Sequence, residues 1–127
     1  MIDHVSIQVR DLSASAAFYD AVLEPLGYRR LAERPASVGF GLRYPEFWLN
    51  ARPGAPPAAP DTGAHVCLRA RSTDAVTEFH RRALARGAAD DGRPGLRKAT
   101  MVDYFAAFIR DPDGNRIEAM TVPPAPA

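Results

Sequence analysis

One cysteine, Cys67, is all that the 127 residues contain. That excludes an internal disulfide framework and fits a reducing compartment. No run approaches the ~20 apolar residues that a membrane-spanning helix needs, so no membrane segment is expected. A surplus of either charge is also missing, since 16 basic and 15 acidic side chains leave a net charge of +1. Without a basic footprint, neither nucleic acid nor an anionic membrane surface is an expected partner. The first residues enter a strand pattern with no basic segment and apolar run before it, so a cytoplasmic location is expected. A nucleophile elbow, a phosphate-binding glycine loop and a Cys-x-x-Cys pair are all absent. Histidine is scarce too, with three copies, and two of these are placed in an informative way.

Those two open similar segments. Asp3-His4-Val5-Ser6-Ile7-Gln8-Val9 and Ala64-His65-Val66-Cys67-Leu68-Arg69-Ala70 carry His at the same step, 61 residues apart. Phe18 and Phe79, and Leu23 and Leu84, keep that offset. The pattern is that of a duplicated half-domain. Val5, Ile7 and Val9 alternate with His4, Ser6 and Gln8, the period of a half-buried strand. His65, Cys67 and Arg69 share a face in the same way, and a face bearing such groups reads as the lining of a wet cup.

The rest of the chain repeats one plan. Asp11 or Ser13 can cap a helix whose apolar positions are Ala17, Phe18, Ala21 and Val22, and Pro25 and Gly27 end it. Strands are expected near 28–33, 37–42 and 47–50. Residues 52–63 hold four of the twelve prolines and read as a linker. After the second strand, Ser72 caps a helix with Val76, Phe79, Ala83 and Leu84 on its apolar stripe, and Gly87 closes it. His80 on that helix is expected to face solvent. A short strand near Ala88 and a loop over 90–103 follow. A hairpin over 105–110 and 115–121 then turns through Asp111-Pro112-Asp113-Gly114. The expected architecture is α+β, with two paired βαβββ modules forming a cupped mixed sheet. The first module covers 1–51, the second 64–121, and a frayed tail 122–127, all within one domain that buries roughly two-thirds of its unfolded surface.

Two strand-borne histidines joined to the ending Asp111-Pro112-Asp113-Gly114-Asn115-Arg116-Ile117-Glu118 resemble the vicinal oxygen chelate superfamily. That group includes glyoxalases, bleomycin-resistance proteins and extradiol dioxygenases, and the resemblance spans about residues 1–121. It implies that His4, His65 and Glu118 ligate one divalent metal ion: Fe, Mn, Ni, Co or Zn. Imidazole and carboxylate suit these metals, and three protein ligands leave open positions. In the superfamily those positions accept two neighbouring substrate oxygens, and the metal acts as a Lewis acid. With iron the same face could bind dioxygen. The resemblance implies a small-molecule substrate and a lyase, isomerase or single-domain dioxygenase, with a homodimer expected from the fold type. The alternative is a sequestering protein of the bleomycin-resistance kind.

Glyoxalase I carries a further Glu in the last strand of its first half. Here Trp48 falls at that position if the first-half turn is the tighter one, and Ala51 if it is not; Glu46 reaches it only in another register. Each candidate has a plainer reading. His4 and His65 could be hydrogen-bonded strand histidines and Glu118 a surface carboxylate, but their matched placement favours ligation. Cys67 reads as a small filler. Trp48, Arg69 and Ser6 are the expected substrate contacts, and Tyr104 with Glu118 the expected acid–base groups. Arg93, Arg97 and Lys98 place three cations on the loop after the second helix, read either as a rim for an acidic substrate or as an ordinary solvated loop.

Overall fold

A computed structural model describes residues 1–125 of the chain. The order is β1 (Val5–Val9), α1 (Leu12–Leu23) with a 3-10 turn (Glu24–Leu26), β2 (Arg29–Arg34), β3 (Ser37–Gly41) and β4 (Phe47–Ala51). The second module follows with β5 (Val66–Arg69), α2 (Thr73–Ala85), β6 (Ala89–Arg97), β7 (Tyr104–Arg110) and β8 (Arg116–Thr121). Each module forms a four-stranded mixed sheet, ordered β1-β4-β3-β2 and β5-β8-β7-β6. The first strand of each runs parallel to the last, and the other neighbours are antiparallel. The expected α+β fold of paired βαβββ units is what forms.

Local chemistry sets the helix ends. Asp11 and not Ser13 caps α1, its carboxylate accepting the Ala14 amide at 3.0 Å, and Ser72 caps α2 through the Ala75 amide at 3.1 Å. The face of α1 differs from the expected stripe. Phe18, Tyr19, Val22 and Leu23 are buried while Ala17 is exposed. An alanine-rich helix offers small residues on both sides, and the large rings decide which side packs. Tyr19 packs against Phe18, Phe40 and Phe47. On α2, Val76, Phe79 and Ala83 face inward as expected, but Leu84 is 39% exposed. His80 takes a buried place instead, with Nε2 2.9 Å from the Asp90 carboxylate. The expected solvent-facing His80 is therefore corrected, because β6 brings an acid to it.

That strand is the other correction. Residues 89–97 form a nine-residue strand where a loop was expected. Gly92, Pro94 and Gly95 look like loop residues, but β6 is an edge, where a missing amide donor is tolerated. Its ladder with β7 absorbs them in two register breaks, around Gly92 and between Gly92 and Gly95.

The convex sheet faces and the two helices enclose one core drawn from both modules. Arg82 of α2 reaches the Ala21 carbonyl at 3.0 Å and the Glu24 carboxylate at 2.7 Å. The β7–β8 turn adds a second tie. Asp113 receives the Arg10 amide and guanidinium at 3.0 and 2.9 Å, and the buried Asp111 accepts the Tyr19 hydroxyl at 2.6 Å. Gly114 closes this turn at φ 86°, a conformation costly for other residues. Burial raises the Asp111 carboxyl above its ordinary value, against the opposing hydrogen bonds of Tyr19 and Asn115. No helix among the described residues is long and apolar enough to cross a membrane. Of the expected tail, residues 126–127 lie outside those described.

Candidate functional site

With helices on the convex side, each sheet leaves one face open. On the second sheet, Ile117 and Ala119 point into the core, so Arg116, Glu118 and Met120 point to the open side. Glu118 pairs with Cys67 of β5 across one ladder and with Phe108 of β7 across the other. The carboxylate is nevertheless only 5% exposed. His65 stands just before β5, and its Nε2 lies 3.0 Å from Glu118 Oε1. The Phe108 ring flanks the imidazole at 6.1 Å between centroids.

Cys67 borders the same carboxylate. Its thiol is pushed up to about 12, first by desolvation of the sulfur and then by the Glu118 charge and hydrogen bond. Such a thiol stays protonated near neutral pH, which does not suit a nucleophile. Cys67 is exposed on this open face, however, so the expected filler is corrected.

The first sheet places Ser6 opposite Trp48 and Gln8 opposite Asn50. Ser6 is the residue equivalent to Cys67, so Trp48 occupies the Glu118 position and the turn between β3 and β4 is the tighter one. Ala51 lies three residues further along. The indole rests over Gly39: a Cβ there would sit 3.0 Å from two ring carbons and 2.8 Å from Pro45. Above the ring, the Arg34 guanidinium stands 4.8 Å from its centroid. A depression of about 390 Å³ on this face is lined by His4, Ser6, Arg34, Ser37, Trp48 and Asn50, among others.

His4 stands just before β1, as His65 does before β5. Its Nδ1 lies 2.7 Å from Asp3, which also receives the Tyr44 hydroxyl. Those two contacts, Tyr44 first, hold the exposed Asp3 carboxyl below its ordinary value. A cleft of about 300 Å³ between the modules is lined by both His4 and His65, with Glu46, Cys67 and Arg69 along its wall.

The structure thus brings His65 and Glu118 together, and sets Trp48 and Ser6 beside His4 on the other face. Among the described residues of one chain, no three His, Cys, Asp or Glu side chains converge as a group able to hold an ion. Arg69 lies at the end of β5 facing the cleft. Tyr104 opens β7 on the Glu118 face, opposite Arg97, and among the described residues no hydrogen bond joins it to the His65–Glu118 pair. Arg34 and Phe108 were not among the residues expected at the site. Phe108 was within reach, because counting back from the Asp111–Gly114 turn sets it opposite Glu118. Arg34 had no such signal, since its contact with Trp48 depends on how β2, β3 and β4 align.

Residues 1–119 match the family described as Glyoxalase/Bleomycin resistance protein/Dioxygenase superfamily. Among solved structures, a glyoxalase/bleomycin resistance protein from Albidiferax ferrireducens is 30% identical. The alignment covers 93% of this chain and 96% of that one, with a TM-score of 0.80. A glyoxalase/bleomycin resistance protein/dioxygenase family enzyme from Burkholderia phytofirmans is similar at 20% identity and TM-score 0.68, covering 96% and 98% of the two chains. A genomically encoded fosfomycin resistance protein from Listeria monocytogenes shares the fold at 15% identity and TM-score 0.65, covering 94% and 91%. The chain has no match among curated proteins.

Proposed function

The chain belongs to the Glyoxalase/Bleomycin resistance protein/Dioxygenase superfamily, and from that premise we propose that it is a metal-dependent enzyme acting on a small oxygenated metabolite. One observation carries the reading. The buried Glu118 carboxylate meets His65 at 3.0 Å on the open face of the second sheet, while His4 holds the matching position on the first.

The donor set suits a divalent cation. Among the described residues Glu118 has no Arg or Lys partner, and its polar neighbours are an imidazole and a neutral thiol. A buried carboxylate without a permanent counter-ion favours a cation brought from outside. His65 and Glu118 would hold it with His4 as third ligand, and the ion (Fe, Mn, Ni, Co or Zn) would supply Lewis acidity or, if iron, access to dioxygen. The protein's own part is to orient and to shield. Phe108 and Trp48 wall the cup with aromatic surface, which strengthens polar contacts within it. Ser6 and Arg69 are donors for substrate oxygens, and Glu118 with Tyr104 are the groups proposed for proton transfer.

His4 sits on one sheet face and the His65–Glu118 pair on the other. We infer a homodimer in which the first module of one copy closes over the second module of its partner. Exposed apolar side chains that line the clefts beside His4, namely Ile2 and Tyr44, suit such a contact.

A second reading, a small-molecule sequestering protein, is favoured by the lack of a three-ligand group within one chain among the described residues. Elemental analysis of protein purified without chelator separates the two readings. The enzyme reading expects about one metal ion per chain, lost from folded His65→Ala and Glu118→Ala variants. Wild type that stays empty after soaking in Fe(II), Mn(II), Ni(II) and Zn(II) would leave the binding reading standing.

A further inference from the structure

We propose that Arg34, seated on Trp48, anchors a carboxylate of the substrate, so that the metabolite is a small organic acid bound with its charged end at β2 and its reacting oxygens toward His4. This rests on the reading of the cup as the substrate site. Several features of the first sheet point there. Arg34 forms no ion pair with any described residue, although its neighbour Arg30 is paired with both Asp20 and Glu33. Its guanidinium carbon stands over the indole, 4.8 Å from the ring centroid. A guanidinium that meets a ring face and no carboxylate keeps N–H groups to offer a ligand, and its fork matches a carboxylate in two parallel hydrogen bonds.

The platform beneath is specific in its construction. Gly39 lets the indole lie down on the sheet, since a Cβ there would meet the ring at 3.0 Å. Trp48 replaces the carboxylate that the second module carries at this position, so the same exchange removes a negative charge and supplies the ring that orients Arg34. Ser37 and Asn50, paired across β3 and β4, add neutral polar groups along the same depression. Its one carboxylate, Asp3, is occupied by His4 and Tyr44. Arg69, which has no ion pair among the described residues, lines the cleft that His4 also lines.

Trp48 is the chain's one tryptophan, so its fluorescence reports on this place alone. The test titrates the purified protein with succinate and glutarate, and in parallel with the uncharged succinamide and glutaramide. The diacids are expected to change Trp48 emission saturably and the diamides not. Arg34→Gln should weaken the diacid response by about tenfold or more, the loss of a charge-assisted contact. Arg34→Lys should restore part of it, and both variants should keep the wild-type metal content. The anchor is overturned by equal responses to diacids and diamides, by an unchanged response in Arg34→Gln, or by no saturable response to either diacid. Its fate is separable from that of the metal. A His65→Ala protein that loses metal and still answers to diacids keeps the anchor, whereas wild type that binds no metal and answers to diacids removes only the metal reading.

Discussion

The two modules repeat one backbone and differ in what they show the cup. In both, a His precedes the first strand and that strand pairs in parallel with the last, Ser6 against Trp48 and Cys67 against Glu118. At the one equivalent position the first module presents an indole lying over glycine and the second a buried carboxylate. Their convex faces, by contrast, do the same job with Phe47 and Leu49 in one and Ile117 and Ala119 in the other, all fully buried. Burial of side chains such as Phe47, Leu49 and Ile117 is worth roughly 1.5–3 kcal/mol each, which holds those positions to apolar residues. Open-face positions carry no such constraint and are free to become chemistry. Duplication thus supplies a frame, and the difference between the halves supplies the function.

The largest effect is expected where the two halves are tied. Tyr19 of the first module donates to the buried Asp111 of the second at 2.6 Å. Tyr19→Phe leaves that oxygen short of a donor and should cost about 1–3 kcal/mol, read as a lower urea midpoint with an unchanged m-value. An unchanged midpoint would mean that the Tyr19–Asp111 hydrogen bond adds nothing to the tie between the modules.

Trp48→Glu makes the two halves alike at this position. A second carboxylate beside His4 should slow the release of bound metal to a chelator, while Trp48→Phe should not. If Trp48→Glu releases metal at the wild-type rate, the first-sheet face does not border the metal.

Asp111 gives the smallest effect, visible in pH dependence. Its folded carboxyl titrates above the ordinary 3.8, so the folded state holds this proton more tightly than the unfolded state. Its contribution is complete below the unfolded value and falls as pH rises through the folded one. Exposed carboxylates such as Asp90 and Asp103 are lowered, by His80 and Lys98 respectively, and act in the opposite sense. Between pH 3 and 6, stability of Asp111→Asn should therefore climb more steeply with pH than that of wild type. Identical slopes would show that the buried carboxyl does not titrate differently on folding.

Much of the frame was legible in the sequence because it is periodic or locally encoded. β1 and β5 follow from alternation, α1 and α2 from Asp11, Ser72 and Gly87, and the last hairpin from Asp111-Pro112-Asp113-Gly114. β6 was not, because Gly92, Pro94 and Gly95 give a loop-like composition and only edge position with bulges makes them a strand. His80 was misplaced for the same reason, since the carboxylate that meets it arrives on that strand. Within the site, the matched offset relates His4 to His65, while the pairing of His65 with Glu118 was expected from the resemblance carried by the Asp111–Glu118 ending. Whether Trp48 or Ala51 stands at the equivalent place depended on the length of the β3–β4 turn, a matter of a few residues that periodicity does not set. The Arg34–Trp48 stack joins strands through tertiary register alone.

We propose that one metal centre draws His4 from one module and His65 with Glu118 from the other, across two copies. The most direct test is the metal content of a mixed pair, one chain carrying His4→Ala and the other Glu118→Ala, isolated by different tags. Each variant alone should be empty, while the mixed pair should regain one intact site and hold about one metal ion per two chains. A mixed pair as empty as its parents, or His4→Ala alone holding the full wild-type amount, would contradict the shared centre.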